Sequence, residues 1–232
     1  LASRGLEPLP LELLDPASVE ACAGAALERT GGKLGALFNN AAFGQPGAVE
    51  DLSVEVLRQQ FEANLFAWHA LTRRIIPAMR ANGGGRIVNC SSVLGLISPP
   101  YRGAYNATKF ALEALTEAMR HELAGTGILV SLIEPGPIAT NFVPRAIERF
   151  RANIDIEGSA HREVYKQRLA AMQAGGRQTF KLPPEAVARK LVHALESPRP
   201  KRRYYVTLPT YVAAYARRLL PYALLDPLVR RA

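Results

Sequence analysis

Short apolar runs alternate along this chain with longer, mixed stretches. The apolar runs predict strands, and residues 128–133 have the uniform apolar character of a strand buried on both faces of a sheet. The predicted strands are 6–13, 36–38, 86–91, 128–133 and 203–207, and the predicted helices are 16–29, 54–80, 104–124 and 184–196. This regular alternation of strand and helix predicts an α/β fold, a doubly wound parallel sheet in a single domain.

Helix-start and turn residues support these boundaries. Asp15 is a favourable N-cap and Pro16 suits the first helical position, so a helix is expected to begin there. Glycine pairs or runs follow three of the predicted helices, at Gly31-Gly32, Gly83-Gly84-Gly85 and Gly125 with Gly127. Residues 143–180 are polar and only weakly helical, which favours a mobile insertion over a core element.

The start of the chain lacks an element that this architecture normally has. In doubly wound sheets the first two strands lie at the centre, and a glycine-rich turn between the first strand and helix holds a pyrophosphate. No such turn occurs here, because Gly83-Gly84-Gly85 precedes a strand instead of a helix. We therefore expect a strand-helix-strand unit of about thirty or more residues before Leu1, and we expect the 232 residues alone to fold poorly.

Composition is that of an ordinary globular protein, with 48% hydrophobic and 21% charged residues. No run reaches the roughly 18 to 20 apolar residues of a membrane-spanning helix, and no signal peptide is visible. The only cysteines are Cys22 and Cys90, so no disulfide framework is indicated and a cytoplasmic location is predicted.

The net charge of +9 is concentrated at the carboxyl end. Residues 199–232 contain eight arginines and lysines against Asp226 alone, which gives 8 − 1 = +7. Such a tail points either to an anionic partner surface or to solvated charge that aids solubility, and the second interpretation is favoured. We expect no nucleic-acid partner.

Tyr105 and Lys109 form the first candidate for chemistry. They lie four positions apart on a predicted helix, so they share a face about 6 Å apart along the axis. A nearby ammonium favours the phenolate and is expected to lower the tyrosine pKa by ~2 to 3 units, which would make the hydroxyl a useful general acid and base. Alone, this spacing favours a chance pair on a solvated helix surface.

Three successive strand ends strengthen that candidate. Ser92 follows one predicted buried strand, Asn39-Asn40-Ala41-Ala42 ends the strand before it, and Pro135-Gly136-Pro137 ends the strand after it. Parallel strands place these ends at one edge, where open α/β sheets bind ligands. Ser92 can therefore hold a substrate oxygen beside Tyr105, although a serine pair can also be simple loop punctuation.

Five ordered motifs resemble those of the classical short-chain dehydrogenase/reductase family, and the tail resembles its steroid- and retinol-type branch. The motifs are Asn39-Asn40-Ala41-Ala42, Asn64 within Ala-Asn-Leu-Phe-Ala, the strand 85–92 ending in Ser-Ser, Tyr105-Asn-Ala-Thr-Lys109, and Pro135-Gly-Pro-Ile-Ala-Thr140. Thirteen positions separate Ser92 from Tyr105, as in the family. The resemblance covers residues 6–140 closely and extends in outline to 207.

The resemblance implies a catalytic tetrad and an NAD or NADP cofactor. Tyr105 would exchange the proton, Ser92 would polarise the substrate oxygen, Lys109 would lower the tyrosine pKa and bind the nicotinamide ribose, and Asn64 would hold a proton-relay water. Other implied cofactor contacts follow the strand ends: Glu12, Leu13, Asn40, Ala41, Ala42, Pro135, Gly136, Ile138 and Thr140. Ala42 replaces the usual glycine and Glu12 the usual aspartate or asparagine, which leaves the adenine side uncertain. The residues do not distinguish NAD from NADP.

The family further implies a domain over 1–207, with 143–180 as a substrate loop and 208–232 as a basic tail. The expected substrate is an apolar alcohol or carbonyl compound, and the expected assembly is a homodimer or homotetramer, through small residues on the helix after Tyr105 (Ala111, Ala114, Leu115, Ala118). In the tail, Tyr211, Val212, Tyr215 and Leu219 share a helical arc with Arg217 off it, which favours pocket closure or subunit packing over peripheral membrane contact. The four histidines lack ligand spacing, so no metal is implied.

A non-catalytic dinucleotide sensor or interaction protein on the same scaffold is the alternative function.

Overall fold

The computed structural model describes residues 5–174 and 179–230. The predicted start of the domain at residues 1–4, positions 175–178 of the predicted insertion, and Arg231 in the basic tail lie outside the described residues.

A four-stranded, fully parallel sheet organises the fold, in the order β1-β2-β3-β4. The strands are β1 (Ala36–Asn39), β2 (Gly85–Cys90), β3 (Ile128–Glu134) and β4 (Arg203–Tyr205). The helices are α1 (Pro16–Arg29), α2 (Val54–Phe61), α3 (Ala67–Ala81), α4 (Gly103–Glu122), α5 (Phe142–Asn153), α6 (Arg162–Gln173), α7 (Glu185–Glu196), α8 (Leu208–Leu219) and α9 (Tyr222–Arg230). Two 3₁₀ turns (Val49–Asp51 and Val93–Gly95) and a π-helical turn (Glu62–Phe66) complete the elements. The predicted doubly wound α/β fold is confirmed.

Helices cover both faces of the sheet. Ile87 of β2 packs into a core cluster with Ile75 and Met79 of α3, whereas its neighbour Val88 packs on the other face with Ala186 and Ala194 of α7. Successive side chains of a strand point to opposite faces, so this alternation shows which layer each helix occupies. β2 therefore lies in the middle of the molecule, with apolar layers above and below it.

Most predicted elements occur where the sequence placed them. Asp15 caps α1 as predicted, since its side chain accepts a hydrogen bond from the Ala17 amide. The predicted helix 54–80 is interrupted by the π-helical turn, which the sequence analysis did not foresee. β4 ends at Tyr205, two residues earlier than predicted, because the chain then enters the cap of α8 at Thr207.

The strand prediction for residues 6–13 is wrong for the structure described. These residues belong to no ladder, and Leu6 and Leu11 are 54% and 40% exposed. A strand exists only through hydrogen bonds to a neighbour, and no described strand lies beside this segment. The apolar residues of this segment led to the strand prediction, but the local sequence does not show whether a neighbouring strand is there to pair with it.

The segment 143–180 is also more structured than its polar composition suggested. It contributes most of α5 and all of α6, and Phe150, Ile154 and Tyr165 form a core cluster with Ala48. The Tyr165 hydroxyl accepts a hydrogen bond from the Ala48 amide at 2.8 Å and donates one to the Asp51 carboxylate. Few apolar residues are present, but they occupy the inner faces of both helices, so the segment packs as a core element.

Candidate active site

Tyr105 and Lys109 lie side by side in the first turns of α4, at the carboxyl edge of the sheet. Tyr105 is 9% exposed and Lys109 is 1% exposed. The Lys109 ammonium lies 5.5 Å from the centroid of the Tyr105 ring and 4.5 Å from that of Trp68, and it donates a hydrogen bond of 2.8 Å to the Cys90 carbonyl oxygen. The end of β2 and two aromatic faces therefore hold this charge in place.

Burial dominates the ionisation of both side chains. Removal from water lowers the pKa of Lys109 to about 8, against the opposing effects of Cys90 and Glu113. Burial also raises the pKa of Tyr105 well above its ordinary value; Cys90 adds to the rise, while the nearby Ser92 hydroxyl and Arg102 oppose it. The predicted lowering of the tyrosine pKa by Lys109 is therefore wrong for this structure. The ammonium faces the ring, and the desolvation of the phenol outweighs the favourable charges, so Tyr105 is protonated at neutral pH.

Ser92 completes the centre from the end of β2. It is 9% exposed, its hydroxyl lies near enough to the Tyr105 phenol to oppose the rise in that pKa, and its Oγ accepts a hydrogen bond of 3.1 Å from the Leu94 amide. The second interaction caps the 3₁₀ turn Val93–Gly95, which fixes the position of the hydroxyl. The ring of Phe142 from α5 meets the Tyr105 ring edge-on at 5.3 Å. A serine hydroxyl and a phenol thus converge at a site walled by an aromatic ring.

Asn64 lies in the π-helical turn and is fully buried. Its side chain accepts a hydrogen bond from the Phe43 amide at 3.2 Å and donates one of 2.9 Å to the Phe43 carbonyl oxygen. A longer contact of 3.4 Å reaches the Thr108 hydroxyl on α4. Asn64 therefore joins the loop after β1 to the helix that carries Tyr105 and Lys109, and π-helical turns of this kind are frequent at functional sites.

Two neighbours of Asn64 escaped the sequence analysis. Gln60 donates to the Phe43 carbonyl oxygen at 2.8 Å and accepts from the Gln45 amide at 2.7 Å. The Trp68 indole donates to the Ala41 carbonyl oxygen at 2.9 Å, and the ring also lies under the Lys109 ammonium. Their positions in the sequence could have indicated them, because Gln60 and Trp68 stand four residues before and after Asn64. Trp68 is also the only tryptophan of the chain.

Four of the predicted cofactor contacts line one cavity of about 570 Å³. They are Glu12, Leu13, Ala41 and Ala42, and the helix α5 forms the opposite wall with Arg145, Glu148 and Arg149. The small side chains at 41 and 42 leave room at the end of β1. Tyr105, Ser92 and Asn40 do not line this cavity, but Phe43 does, and Phe43 hydrogen-bonds with Asn64.

The remaining predicted cofactor contacts follow β3. Ile138 pairs with Leu182 in a parallel bridge, and the Thr140 hydroxyl accepts a hydrogen bond of 3.3 Å from the Phe142 amide. Pro135 is half-buried, and Gly136 packs so closely that a Cβ there would lie 2.0 Å from the Thr207 hydroxyl oxygen. These residues lie at the same carboxyl edge as Ser92, because β2 and β3 are parallel neighbours.

Helix α5 contributes residues to the cavity that were not predicted. The Arg149 guanidinium stacks 4.0 Å from the centroid of the Phe43 ring, and Asn153 donates a hydrogen bond of 2.7 Å to the Gln45 side chain. Arg145 and Arg149 are one turn apart and give this wall positive charge. A dinucleotide fits these features, since its phosphates are anionic and its adenine and ribose need space beside small side chains.

Two general properties complete the description. Within 5–174 and 179–230, no cluster of three or more histidine, cysteine, aspartate or glutamate side chains is arranged to hold a metal ion. No helix in that part of the chain is both long and apolar enough to cross a membrane.

Comparison with known proteins agrees with this geometry. A family model described as short chain dehydrogenase matches residues 2–149. The chain is 43% identical over 228 residues to the uncharacterized oxidoreductase YbbO of Escherichia coli, covering 98% of this chain and 79% of the relative. It is 34% identical over 206 residues to human 17-beta-hydroxysteroid dehydrogenase type 1, covering 87% and 60%. A crystal structure of a short chain dehydrogenase/reductase from Burkholderia phymatum in complex with NAD superposes with a TM-score of 0.72 at 30% identity, covering 95% of this chain and 75% of the other.

Proposed function

The chain belongs to the short-chain dehydrogenase/reductase family and is an NAD(P)-dependent oxidoreductase, and from this premise we propose that it interconverts an alcohol and a carbonyl compound with Tyr105 as general acid and base. The observation that carries the proposal is the convergence of Tyr105, Ser92 and Lys109 at the carboxyl edge of the parallel sheet. A bound nicotinamide would supply or accept the hydride, so the protein must supply proton exchange and placement.

Tyr105 is protonated at neutral pH and therefore carries the proton that a reduction needs. In the reductive direction the protonated Tyr105 hydroxyl gives its proton to the substrate oxygen, while the Ser92 hydroxyl donates a hydrogen bond to the same oxygen. Lys109, whose pKa is about 8, exchanges a proton near neutral pH and so can restore the one that Tyr105 gives away. In the oxidative direction the same groups work in reverse.

Asn64 has the role of a proton-relay residue in this proposal. Its side chain is committed to Phe43 and Thr108, so it also fixes the distance between the loop after β1 and α4. Loss of Asn64 would disturb the placement of Lys109 as well as any water held there.

The cofactor is proposed to extend from the catalytic centre along the ends of β1 and β3. Support comes from the 570 Å³ cavity beside Glu12, Leu13, Ala41 and Ala42, with Asn40 exposed next to it. On the nicotinamide side the proposed contacts are Tyr105, Lys109, Pro135, Gly136, Ile138 and Thr140. Arg145 and Arg149 are suited to contacts with the phosphates.

The substrate is proposed to be an apolar alcohol or ketone. Phe142 packs edge-on against Tyr105, so the neighbourhood of the reacting oxygen is aromatic. One relative, at 34% identity, is named for activity on a 17-beta-hydroxysteroid, which is a bulky apolar alcohol. In this proposal residues 143–180 form the substrate loop within a domain over 1–207, and 208–232 form the tail.

Assembly and location stay predictions. On α4 the side chains of Ala114, Leu115 and Ala118 are exposed and that of Ala111 is half-buried, as a helix-helix contact between subunits requires. A homodimer or homotetramer would cover this face. The cytoplasmic location rests on cysteine usage alone.

The proposal is tested by Tyr105→Phe, with Tyr222→Phe as the matched control on a side chain that is 74% exposed. Turnover of steroid ketones, of medium-chain ketones and of the aldehyde retinal is measured with NADH and NADPH. Cofactor affinity is measured by fluorescence titration. We expect Tyr105→Phe to lower kcat about 10²- to 10⁴-fold with unchanged cofactor affinity, and the control to match the wild type. Retained turnover in Tyr105→Phe would refute the assignment. Cofactor binding without turnover of any substrate by the wild type would favour the non-catalytic alternative.

A further inference from the structure

Helix α8 presents an apolar face to solvent. Leu208, Tyr211, Val212, Tyr215 and Leu219 fall within an arc of about 100° around the helix axis, and their exposed fractions run from 41% to 76%. The opposite face carries Thr210, Ala213 and Ala214, which are buried. The short side chains thus face the protein and the large apolar ones face outward, so none of the residues in 5–174 and 179–230 covers this arc.

Helix α9 continues this exposed character. Tyr222, Leu224 and Leu228 are 74%, 59% and 56% exposed, while Leu225 is buried and anchors the helix. Of the nineteen large apolar side chains that are exposed in the described residues, eight lie between 208 and 228. We call these eight the tail surface: Leu208, Tyr211, Val212, Tyr215, Leu219, Tyr222, Leu224 and Leu228.

The charges on the segment that carries the tail surface are almost all positive, and Glu117 of α4 lies near Arg218. Arg218 and Arg230 are exposed on the same two helices, and Arg199, Lys201 and Arg202 are exposed just before them. Asp226 is the only acidic residue from 199 onward. Two further arginines point elsewhere: Arg203 binds glutamates, and Arg217 donates to the Leu96 carbonyl oxygen and stacks on Phe110. A partner for this surface must therefore accept apolar side chains and positive charge together.

We propose that the tail surface binds an anionic lipid bilayer, with α8 and α9 lying in the plane of the interface. Exposed tyrosines and leucines beside arginines match the composition of helices that insert their apolar side shallowly among headgroups, and anionic lipids attract the flanking cations. At 12 residues α8 is about 18 Å long, which suits a position in the interface and not a crossing.

A second copy of the chain fits this surface less well. A symmetric contact brings the same patch of both subunits together, and this patch carries Arg218 and Arg230 with Asp226 as the acidic residue of its segment, so net positive charge would meet net positive charge. Like charges in such a contact oppose association. The proposal concerns a surface separate from the catalytic centre, and it stands or falls independently of the oxidoreductase mechanism.

The test is flotation of the full protein with vesicles of phosphatidylcholine, with and without about a third phosphatidylglycerol. Val212→Glu places a charge on the tail surface at a side chain 59% exposed, and Val54→Glu makes the same change on α2 at 63% exposure. We expect the wild type and Val54→Glu to float with anionic vesicles, with less flotation at high salt, and Val212→Glu to remain in the aqueous fraction. Arg218→Gln and Arg230→Gln should each weaken binding about fivefold.

Three results would overturn the proposal. The first is absence of flotation of the wild type, and the second is an equal loss in Val54→Glu and Val212→Glu. The third is a dimer of the wild type in sedimentation equilibrium that Val212→Glu dissociates, together with no binding of the wild type to vesicles. That result would assign the surface to a second copy. Circular dichroism of each variant verifies that the fold is intact, and turnover of a water-soluble ketone should be unchanged in Val212→Glu.

Discussion

Replacing Arg203 should cost this protein a large part of its stability. Arg203 begins β4, and its guanidinium binds Glu113 at 2.5 Å, Glu117 at 2.6 Å and Glu134. The side chains of Arg203, Glu113 and Glu134 are 17%, 9% and 0% exposed, so this is a buried cluster. One oxygen of Glu113 and one of Glu134 have no hydrogen-bond partner among the residues that the structure describes. Removing the cation from a buried pair leaves uncompensated charge, so Arg203→Met should lower the free energy of unfolding by about 3 to 5 kcal/mol near pH 8.

The loss should depend on pH in a defined direction. Burial raises the pKa of Glu134 to about 8 and also raises that of Glu113, while Arg203 opposes both rises. Without Arg203 both values rise further above those of the unfolded chain. Each carboxyl then binds more protons in the folded state, so its contribution to stability is present below the unfolded pKa, near 4.5, and is lost as the pH rises. The destabilisation by Arg203→Met should therefore be smaller at pH 5.5 than at pH 8.

Urea unfolding followed by circular dichroism at pH 5.5 and 8 measures both quantities. Arg218→Met is the matched control, because this arginine is exposed on α8, and its replacement should change the free energy of unfolding by less than about 0.5 kcal/mol. A loss below about 1 kcal/mol in Arg203→Met would show that the buried carboxyls do not need the cation. An equal loss at both pH values would refute the protonation argument.

Two further predictions concern the active site. Trp68→Phe removes the hydrogen bond to the Ala41 carbonyl oxygen, so cofactor affinity should fall severalfold and the free energy of unfolding should drop by about 1 kcal/mol. Titration with NADH and NADPH measures the affinity, and urea unfolding measures the stability. An unchanged cofactor affinity would contradict this prediction. Because Lys109 has a pKa of about 8, the rate of carbonyl reduction should fall as the pH rises through that value. Above it, a smaller fraction of Lys109 is protonated and able to return a proton to Tyr105. Lys109→Arg, if active, should shift that limb to higher pH, and an unmoved limb in the pH-rate profile would exclude Lys109 as its source.

Local pattern was sufficient for the two central strands and for the residues that follow them. Residues 86–91 and 128–133 are apolar enough to be buried whichever helices cover them, and their parallel arrangement follows from the helices between them. Ser92 and Pro135 could therefore be placed at one edge before any contact was known. The strand prediction for residues 6–13 fails because a strand forms only where a neighbouring strand pairs with it, and the composition of the segment does not supply that neighbour.

Burial depth and pairing between distant segments could not be predicted. The direction of the Tyr105 pKa shift depends on how completely α5 and the loop after β1 exclude water, and no spacing of residues reports that. The same holds for α8, where the arc of large apolar residues was visible but its orientation was not. Arg217 faces Phe110 and the Leu96 carbonyl oxygen, so the polar side of the helix is the docked one.

The π-helical turn connects the loop after β1 with the surroundings of Lys109. Gln60, Asn64 and Trp68 each contact the loop of residues 41–45, although positions four apart drift about 40° around a regular α-helix with every step. A wider turn at 62–66 reduces that drift and keeps the three side chains directed at the same loop. Trp68, aligned in this way, also supports the Lys109 ammonium from below. One local irregularity in the helix therefore fixes the loop beside the proposed cofactor cavity and the cation beside Tyr105 together.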